Sequence, residues 1–322
     1  MAKTPISAPD KKLFYSRQDP LDPRLGDLVK VGTTKEVHQN SWFIFGYPDD
    51  EGIRLNGGRP GAKLAPEAIR RALYRMTPHF THLNQSPIYD LGNLDIEQLS
   101  LNQRHQCGRE LAQDILQKNG RWLALGGGHD YAYCDIWGFL TTQQGHRPLV
   151  INFDSHLDVR PTQDSANSGT AFRRLIDEFK SFDLVEIGVQ AQCNAQAHLQ
   201  WFQEHGGHLL SLDQIVKSSS SPQETICKFL TPHLTPRRPT FVSVDLDAFS
   251  SAYAPGCSQS WATGLNPNDA LAVFDFISTR AQVHGIGLYE VSPPLDHDDQ
   301  TSRLAALIAH RFIYPPQRET NE

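Results

Sequence analysis

From Trp42 onward, short apolar runs alternate with amphipathic segments, and this alternation constrains the fold more than any other feature of the sequence. Strands that are apolar on both faces need cover on both sides, which parallel sheets obtain from helical crossover connections. Helix-like patterns cover residues 62–76 and about 96–118 and begin again near Asn266 and Asp299, whereas residues 194–235 have no clear pattern. We therefore predict an α/β fold with a buried parallel sheet that includes strands at 42–46, 121–126, 148–153, 182–189, 240–246 and 284–290.

The rest of the sequence indicates the domain limits, the cellular location and the classes of partner. The first forty residues are polar and irregular, so we predict an arm at 1–40 and a single catalytic domain at 41–322. The N-terminus lacks the apolar core of a signal peptide, and five cysteines without CxxC spacing disfavour disulfides, so we expect a cytoplasmic protein. A net charge of −6 disfavours nucleic acid and membranes as partners. We expect a small-molecule substrate with carboxylates and allow for a homo-oligomer.

Aspartate and histidine side chains follow three of the predicted strands directly. In open α/β sheets, ligands bind beyond the carboxyl ends of the strands. If the strands are parallel, these side chains therefore meet at one edge of the sheet. The segments are GGGHD after 121–126, DSHLD after 148–153, and DLD at the end of 240–246. They supply His129, Asp154, His156, Asp158, Asp245 and Asp247.

Four carboxylates cannot crowd together in a dry cleft unless positive charge neutralises them. Two divalent ions would do so, and oxygen and imidazole ligands without thiolate suit Mn²⁺. Alternate residues of an extended chain point to the same side. If DSHLD is extended, Asp154, His156 and Asp158 therefore share a direction, as do Asp245 and Asp247, and this spacing suits a chelating ribbon.

Each of the three motifs has an ordinary interpretation when it is taken alone. An Asp-X-His-X-Asp segment is often a polar loop, and aspartates after a strand often cap turns or helices. The GGGHD segment could be a phosphate-cradling loop, but Tyr131 stands where the dinucleotide fingerprint needs a third glycine. Their occurrence together at three strand ends favours the two-metal interpretation.

These motifs resemble the signature of the ureohydrolase family, which includes arginase, agmatinase, guanidinobutyrase and formimidoylglutamase. The resemblance extends roughly from Trp42 to Phe312 and is strongest to the formimidoylglutamase branch. Its segments in this chain are 46–73, NSGTAF at 167–172, SVDLDAF with the later APG at 254–256, and YEVSPPLD through TSRLAALIA. The D-x-D-x-x-D-P continuation that is common in arginases and agmatinases is absent after Asp247.

The resemblance implies a three-layer α/β/α fold with a central, mostly parallel eight-stranded sheet. It also implies a hydrolase with two Mn²⁺ per chain, which cleaves N-formimidoyl-L-glutamate to L-glutamate and formamide, a step of histidine degradation. In that family the two ions share bridging ligands and activate a hydroxide that attacks the amidine carbon. Carried over position by position, His129, Asp154, Asp158 and Asp245 would hold one ion, and Asp154, His156, Asp245 and Asp247 the other.

Further residues are candidates for catalysis and substrate binding. Asp158 would transfer the proton and Glu290 would pair with the cationic amidine nitrogen; the less favoured alternative for Glu290 is a carboxylate behind the ligands or at the surface. The histidine that arginases use as a proton shuttle aligns with Phe172, which argues against arginase activity. Arginine suits bidentate binding of carboxylates. The substrate-binding candidates are Arg160, Ser168, Thr170, Arg173 and Asn194, with Arg174 as a weaker one.

Three alternatives remain at the level of the sequence. The chain could be another ureohydrolase acting on a guanidine, of the guanidinobutyrase or agmatinase type. It could be a catalytically inactive metal-binding homologue, although all six ligand positions are filled. It could also be a deacetylase that uses a single zinc ion on a related fold. Metal-dependent turnover and the number of bound ions distinguish these alternatives.

Overall fold

A computed structural model describes residues 4–35, 37–78, 86–143, 145, 147–162 and 166–316. Its described residues form one central sheet. The strands are β1 (Ile6–Ser7), β2 (Lys30–Val31), β3 (Trp42–Gly46), β4 (Ile88–Leu94), β5 (Arg121–Leu125), β6 (Leu149–Phe153), β7 (Asp183–Val189), β8 (His208–Ser211), β9 (Pro239–Asp245) and β10 (Gln282–Tyr289).

The sheet has the order β1-β4-β3-β5-β10-β9-β6-β7-β8, and β2 pairs with β4. All of the described pairings are parallel except that of β1 with β4. The carboxyl ends of β5, β10, β9 and β6 therefore lie side by side at one edge. Because this is where the chain order reverses, ligands are expected to bind there.

Helices cover both faces of the sheet. They are α1 (Leu25–Leu28), α2 (Glu51–Leu55), α3 (Ala65–Leu73), α4 (Leu101–Gln117), α5 (Asp130–Thr142), α6 (Ala171–Glu178), α7 (Gln196–Glu204), α8 (Leu212–Val216), α9 (Pro222–Leu230), α10 (Pro267–Arg280) and α11 (Gln300–Ile313). One apolar core joins the sheet to α3 and α8–α11, and the other joins it to α4–α7. The predicted three-layer α/β/α fold with a mostly parallel sheet is thus confirmed. The predicted number of eight strands is wrong: the sheet has ten among the described residues, because β1 and β2 also pair with β4 at its edge.

Both faces of the central strands are buried, as the continuous apolar runs predict. On β3, Ile44 packs into the core with α3, while Phe43 and Phe45 pack into the core with α4. Successive side chains of a strand point to opposite faces, so one short segment serves two cores. Within the described residues, we find no helix with the length and apolar character needed to span a bilayer.

The six predicted strands agree with the structure to within two residues at each end. Strand β4 was missed because its sequence, IYDLGNL, does not read as an apolar run. Its Asp90 is buried and accepts two hydrogen bonds from Arg70 on α3, at 2.8 and 2.9 Å, and one from Tyr74 at 2.6 Å. The carboxylate of Asp90 can therefore be buried because a residue from another segment pairs with it, and no local sequence pattern indicates that partner.

Several helix boundaries also differ from the predictions. Helix α4 begins at Leu101 and not near residue 96, because Ser100 and Gln103 form a reciprocal capping box there. Helix α5 was not predicted, and the unassigned region 194–235 contains α7, β8, α8 and α9. Residues 6–7 and 30–31 of the predicted arm pair with β4 at the edge of the sheet.

Candidate metal centre

Four adjacent strand ends supply the candidate site. Strand β5 leads through the turn Gly126–Gly128 to His129, the residue that precedes α5. Asp154 follows β6, Asp245 is the last residue of β9, and Glu290 follows β10. All four side chains are buried or nearly so. The parallel order of these strands thus brings them to one point, as the sequence predicts.

One group of carboxylates surrounds the imidazole of His129. Its Nδ1 atom lies 3.0 Å from Asp154 Oδ2, 2.9 Å from Asp158 Oδ2 and 3.3 Å from Asp245 Oδ2. A second group surrounds His156, whose Nδ1 atom lies 3.4 Å from Asp154 Oδ1 and 3.1 Å from Asp247 Oδ2. Asp154 therefore contributes one oxygen to each group.

The donor set fits divalent cations. The buried Nδ1 atom of His129 has no hydrogen-bond partner, although three carboxylates surround it. Burial and then the carboxylates of Asp247 and Asp154 raise the pKa of Asp245 well above its ordinary value. Burial, together with Asp154, raises the pKa of Asp247 to about 6. Positive charge between the two groups would remove this repulsion, and oxygen and imidazole ligands suit Mn²⁺.

The ligand segments are not extended, so the condition for a chelating ribbon of alternate residues is not met. The chain bends at Ser155 and His156, and Asp158 has a positive φ of 47°. Asp247 lies in the one-turn 3₁₀ helix Leu246–Ala248, where its backbone N–H donates to Asp245 Oδ1 at 2.8 Å. The side chains converge because the segments curl around one point, and not because alternate residues of a strand share a face.

Side chains from outside the three motifs hold these curled segments in place. The amide group of Asn194 accepts from the backbone N–H of Leu157 at 2.9 Å and donates to the carbonyl oxygen of Ser155 at 2.8 Å. The hydroxyl of Ser155 donates to the carbonyl oxygen of Asp247 at 2.9 Å. This hydrogen bond connects the DSHLD loop to the 3₁₀ helix Leu246–Ala248 that follows β9.

Glu290 closes the site from β10. Its carboxylate accepts a hydrogen bond of 3.1 Å from the backbone N–H of His129, and its φ of 65° is unusual for a non-glycine residue. Burial and the charge of Asp245 raise its pKa well above the ordinary value. The ring centroids of Tyr289 and Phe172 lie 5.1 and 5.6 Å from that of His129, so that two aromatic rings pack beside the imidazole.

The centre opens into a cavity of about 310 Å³. Its wall includes His129, His156, Asp158, Asp245, Asp247 and Glu290. Of the substrate-binding candidates, Arg160, Ser168 and Asn194 line it. The Arg160 side chain makes no hydrogen bond or ion pair with any described residue, so its guanidinium group is available to a ligand.

The structure does not bring the remaining candidates to this wall. Thr170 is buried and donates a 2.8 Å hydrogen bond to the carbonyl oxygen of Asn167. Arg173 pairs with Asp177 at 3.1 Å and stacks on a tryptophan, and Arg174 stacks on Tyr133. These arginines follow NSGTAF in sequence and lie on helix α6, but neither of them lines the cavity.

The sequence analysis missed several residues of the cavity wall. They lie outside the motifs, in segments that are remote in sequence and come together only through the fold. No spacing or composition signal marks them, although Asn56 falls within the family-like segment 46–73. They include Asn56, Gln192, His198, Gln259 and Trp261.

Comparisons with known proteins show which family the chain resembles. The arginase family model matches residues 40–314. Formimidoylglutamase from Streptococcus gordonii is 30% identical over 289 residues, which cover 84% of this chain and 83% of that protein. The crystal structure of formimidoylglutamase from Bacillus subtilis superposes with a TM-score of 0.82 at 27% identity, covering 94% of this chain and 96% of that one. The structure of Trypanosoma cruzi formiminoglutamase with two Mn²⁺ gives a TM-score of 0.79 at 29% identity, covering 92% and 100%.

Proposed function

The chain belongs to the arginase family, and on that premise we propose that it is a formimidoylglutamase. It is a hydrolase that requires two Mn²⁺ ions and cleaves N-formimidoyl-L-glutamate to L-glutamate and formamide. The observation that carries the proposal is a group of four carboxylates and two imidazoles beside a cavity lined by Arg160, whose side chain has no hydrogen-bond or ion-pair partner among the described residues. A cytoplasmic location and a homo-oligomeric state remain predictions.

The six ligand side chains divide into two sets that share Asp154. His129, Asp158 and Asp245 complete one set, and His156 and Asp247 complete the other. In this proposal Asp245 also serves the second set, as the family resemblance implies. Two Mn²⁺ ions, when bound, would offset the carboxylate charge and lower the pKa of a water for attack on the amidine carbon.

Two carboxylates are available for the remaining chemistry. Asp158 lies at the cavity wall, where it takes up the proton of the attacking water and passes it to the leaving nitrogen. Glu290 lines the same cavity and faces the cationic amidine group. Phe172 has no titratable group, so proton transfer depends on Asp158 and not on a side chain at that wall.

Arg160 supports the choice of substrate. A guanidinium group without a partner favours an anionic ligand, and formimidoylglutamate brings two carboxylates and no free ammonium group. Agmatine brings no carboxylate, and arginine brings one together with a repelled α-ammonium group. The cavity therefore favours the acidic amidine over the basic guanidines.

A substrate panel tests this function. Purified protein loaded with Mn²⁺ is assayed on formimidoylglutamate, arginine, agmatine and guanidinobutyrate, and formamide or urea is quantified. The expected result is turnover of formimidoylglutamate with a kcat/KM far above those of the guanidines. Faster release of urea from any guanidine would overturn the substrate assignment, and the absence of turnover on all four would overturn the enzyme assignment.

A further inference from the structure

A row of polar side chains lies in the sheet directly beneath the candidate ligands. Asn152 on β6 is in register with Glu186 on β7 and with Ser243 on β9. Asn152 and Ser243 each precede a ligand, Asp154 or Asp245, by two residues, so they share its face of the sheet. All three side chains of the row are fully buried.

The row touches the ligands. Ser243 Oγ lies 3.0 Å from Nε2 of His129. The amide nitrogen of Asn152 donates to Glu186 Oε2 at 2.8 Å and to Asp154 Oδ2 at 3.3 Å. Asn152 therefore connects Glu186 to the carboxylate shared by the two ligand groups.

Two atoms of this row are buried without a hydrogen-bond partner. They are Oε1 of Glu186 and Oδ1 of Asn152. Both are acceptors as long as the carboxyl group is ionised, so neither can satisfy the other. A proton on Glu186 Oε1 would turn it into a donor. A carboxylic acid and an amide then form a cyclic pair with one hydrogen bond in each direction, and both orphaned atoms are satisfied.

We propose that Glu186 is a positioning residue: its carboxyl group carries a proton, donates a hydrogen bond to Oδ1 of Asn152, and thereby holds the Asn152 amide nitrogen toward Asp154. Without this pair, the amide group can flip and present its oxygen to the carboxylate of Asp154. The orientation of Asn152 then sets how firmly Asp154 is held for metal binding. Outer groups that fix a metal ligand in this way contribute substantially to affinity.

The charge environment of Glu186 agrees with a neutral acid. No cation forms an ion pair with it among the described residues, and its single hydrogen-bond donor is the Asn152 amide. Burial raises its pKa well above the ordinary value. A buried carboxylate without a counter-ion is costly, and protonation relieves that cost.

The test compares two substitutions at one position. Glu186→Gln keeps both hydrogen bonds, since its amide donates to Asn152 Oδ1 and accepts from Asn152 Nδ2. Glu186→Leu removes both at similar volume. We expect Glu186→Leu to weaken Mn²⁺ binding by about 10- to 100-fold, measured by titration calorimetry, and Glu186→Gln to bind like the parent protein.

A matched control lies on the same strand. Ile187 is buried and points to the opposite face, so Ile187→Val perturbs the packing of β7 without touching the polar row. Its Mn²⁺ affinity should equal that of the parent. A loss of affinity in Ile187→Val as large as that in Glu186→Leu would assign the effect to strand packing and overturn the proposal.

The remaining outcomes are also decisive. Equal loss in Glu186→Gln and Glu186→Leu would mean that an ionised carboxylate acts through its charge, and unchanged affinity in both would mean that Glu186 has no role. Infrared spectroscopy provides a second measurement if Glu186→Leu does not fold. The parent at pH 8 should show a protonated carboxyl band that Glu186→Gln lacks, and its absence would overturn the proposal.

The inference rests on the proposed metal centre but not on the substrate. Because Mn²⁺ affinity is measured directly, a failure to hydrolyse formimidoylglutamate leaves this test intact. If the parent protein binds no Mn²⁺, the proposed function itself fails, and that result is distinct from equal affinities among the Glu186 variants.

Discussion

Nδ1 of His129 lies 3.0 Å from a carboxylate oxygen of Asp154, although strands β10 and β9 separate the strands that lead to these two residues. Three strand spacings amount to about 14 Å. The turn Gly126–Gly128 crosses that gap over the end of β10, where Gly126 donates to the carbonyl oxygen of Leu288 at 2.6 Å and Glu290 donates to that of Gly127 at 3.0 Å. A side chain on Gly127 would meet the backbone of Asp49 at 1.8 Å, which explains the glycine there.

This shared position makes Asp154 the most sensitive ligand. Since each of its oxygens faces a different imidazole, Asp154→Ala should disturb both ions, whereas His156→Ala should spare the ion at His129. We expect Asp154→Ala to lose activity and to lose more than the roughly 100-fold in Mn²⁺ affinity that an outer-shell change costs. Elemental analysis after gel filtration gives the metal content.

The same measurement of metal content can also contradict this prediction. Two full equivalents of Mn²⁺ in Asp154→Ala would show that this carboxylate is not shared between the ions. The expected order of metal content is the parent, then His156→Ala, then Asp154→Ala. Loss of both ions in His156→Ala would instead show that the two sites fill only together.

Phe172 should not take part in proton transfer. The centre of its ring lies 5.6 Å from that of the His129 imidazole in a T-shaped arrangement, and the ring is fully buried. We expect Phe172→Leu to cost about 1 to 2 kcal/mol of stability through lost packing and to change KM modestly. The pH–rate profile should keep its shape, and a large shift of its apparent pKa values would contradict this prediction.

Arg160 should bind a carboxylate group of the substrate. One charge-assisted hydrogen bond is worth about 2 kcal/mol, so Arg160→Ala should lower kcat/KM for formimidoylglutamate roughly thirtyfold, mainly through KM. Arg173→Ala is the matched control, because Arg173 is already paired with Asp177 and does not line the cavity. An equal loss on formimidoylglutamate, arginine and agmatine in Arg160→Ala would mean that Arg160 supports the ligand loop instead.

Asp135 should make stability decrease as pH rises toward neutrality. It is fully buried and accepts hydrogen bonds from Tyr47 and Tyr289 at 2.5 Å and from Trp122 at 2.7 Å. Burial raises its pKa from 3.8 to about 7, although these donors oppose the shift. Between pH 4 and 7 the folded protein keeps a proton that the unfolded chain releases, so this contribution, roughly 4 kcal/mol at most, is lost as pH rises.

Asp135→Asn should remove that contribution. We expect its free energy of unfolding in urea, at a fixed excess of Mn²⁺, to fall less between pH 5 and pH 7.5 than that of the parent. Asp114→Asn is the control, since Asp114 is about half exposed and pairs only with Lys118 at the surface. Parallel pH dependences in the parent and Asp135→Asn would contradict the prediction.

The sequence by itself determined the class of fold and the six candidate ligands. Apolar runs such as Leu149–Phe153 must be buried on both faces, and a parallel sheet sends the residues that follow such strands to one edge. These are local properties: the residues 154–158 stand immediately after their strand in the chain. For the same reason, the resemblance to a metal-dependent family could be read from short motifs.

Only the tertiary structure decided the geometry around those ligands. The curl at Asp158, the hydrogen bonds of Asn194, and the packing of Arg173 on Trp201 while Arg160 lines the cavity depend on how separate segments meet in the fold. The partnership of Asn152 with Glu186 likewise depends on the pairing of β6 with β7. Such contacts carry no periodic signal, because a buried polar group is tolerated wherever some other segment satisfies its hydrogen bonds.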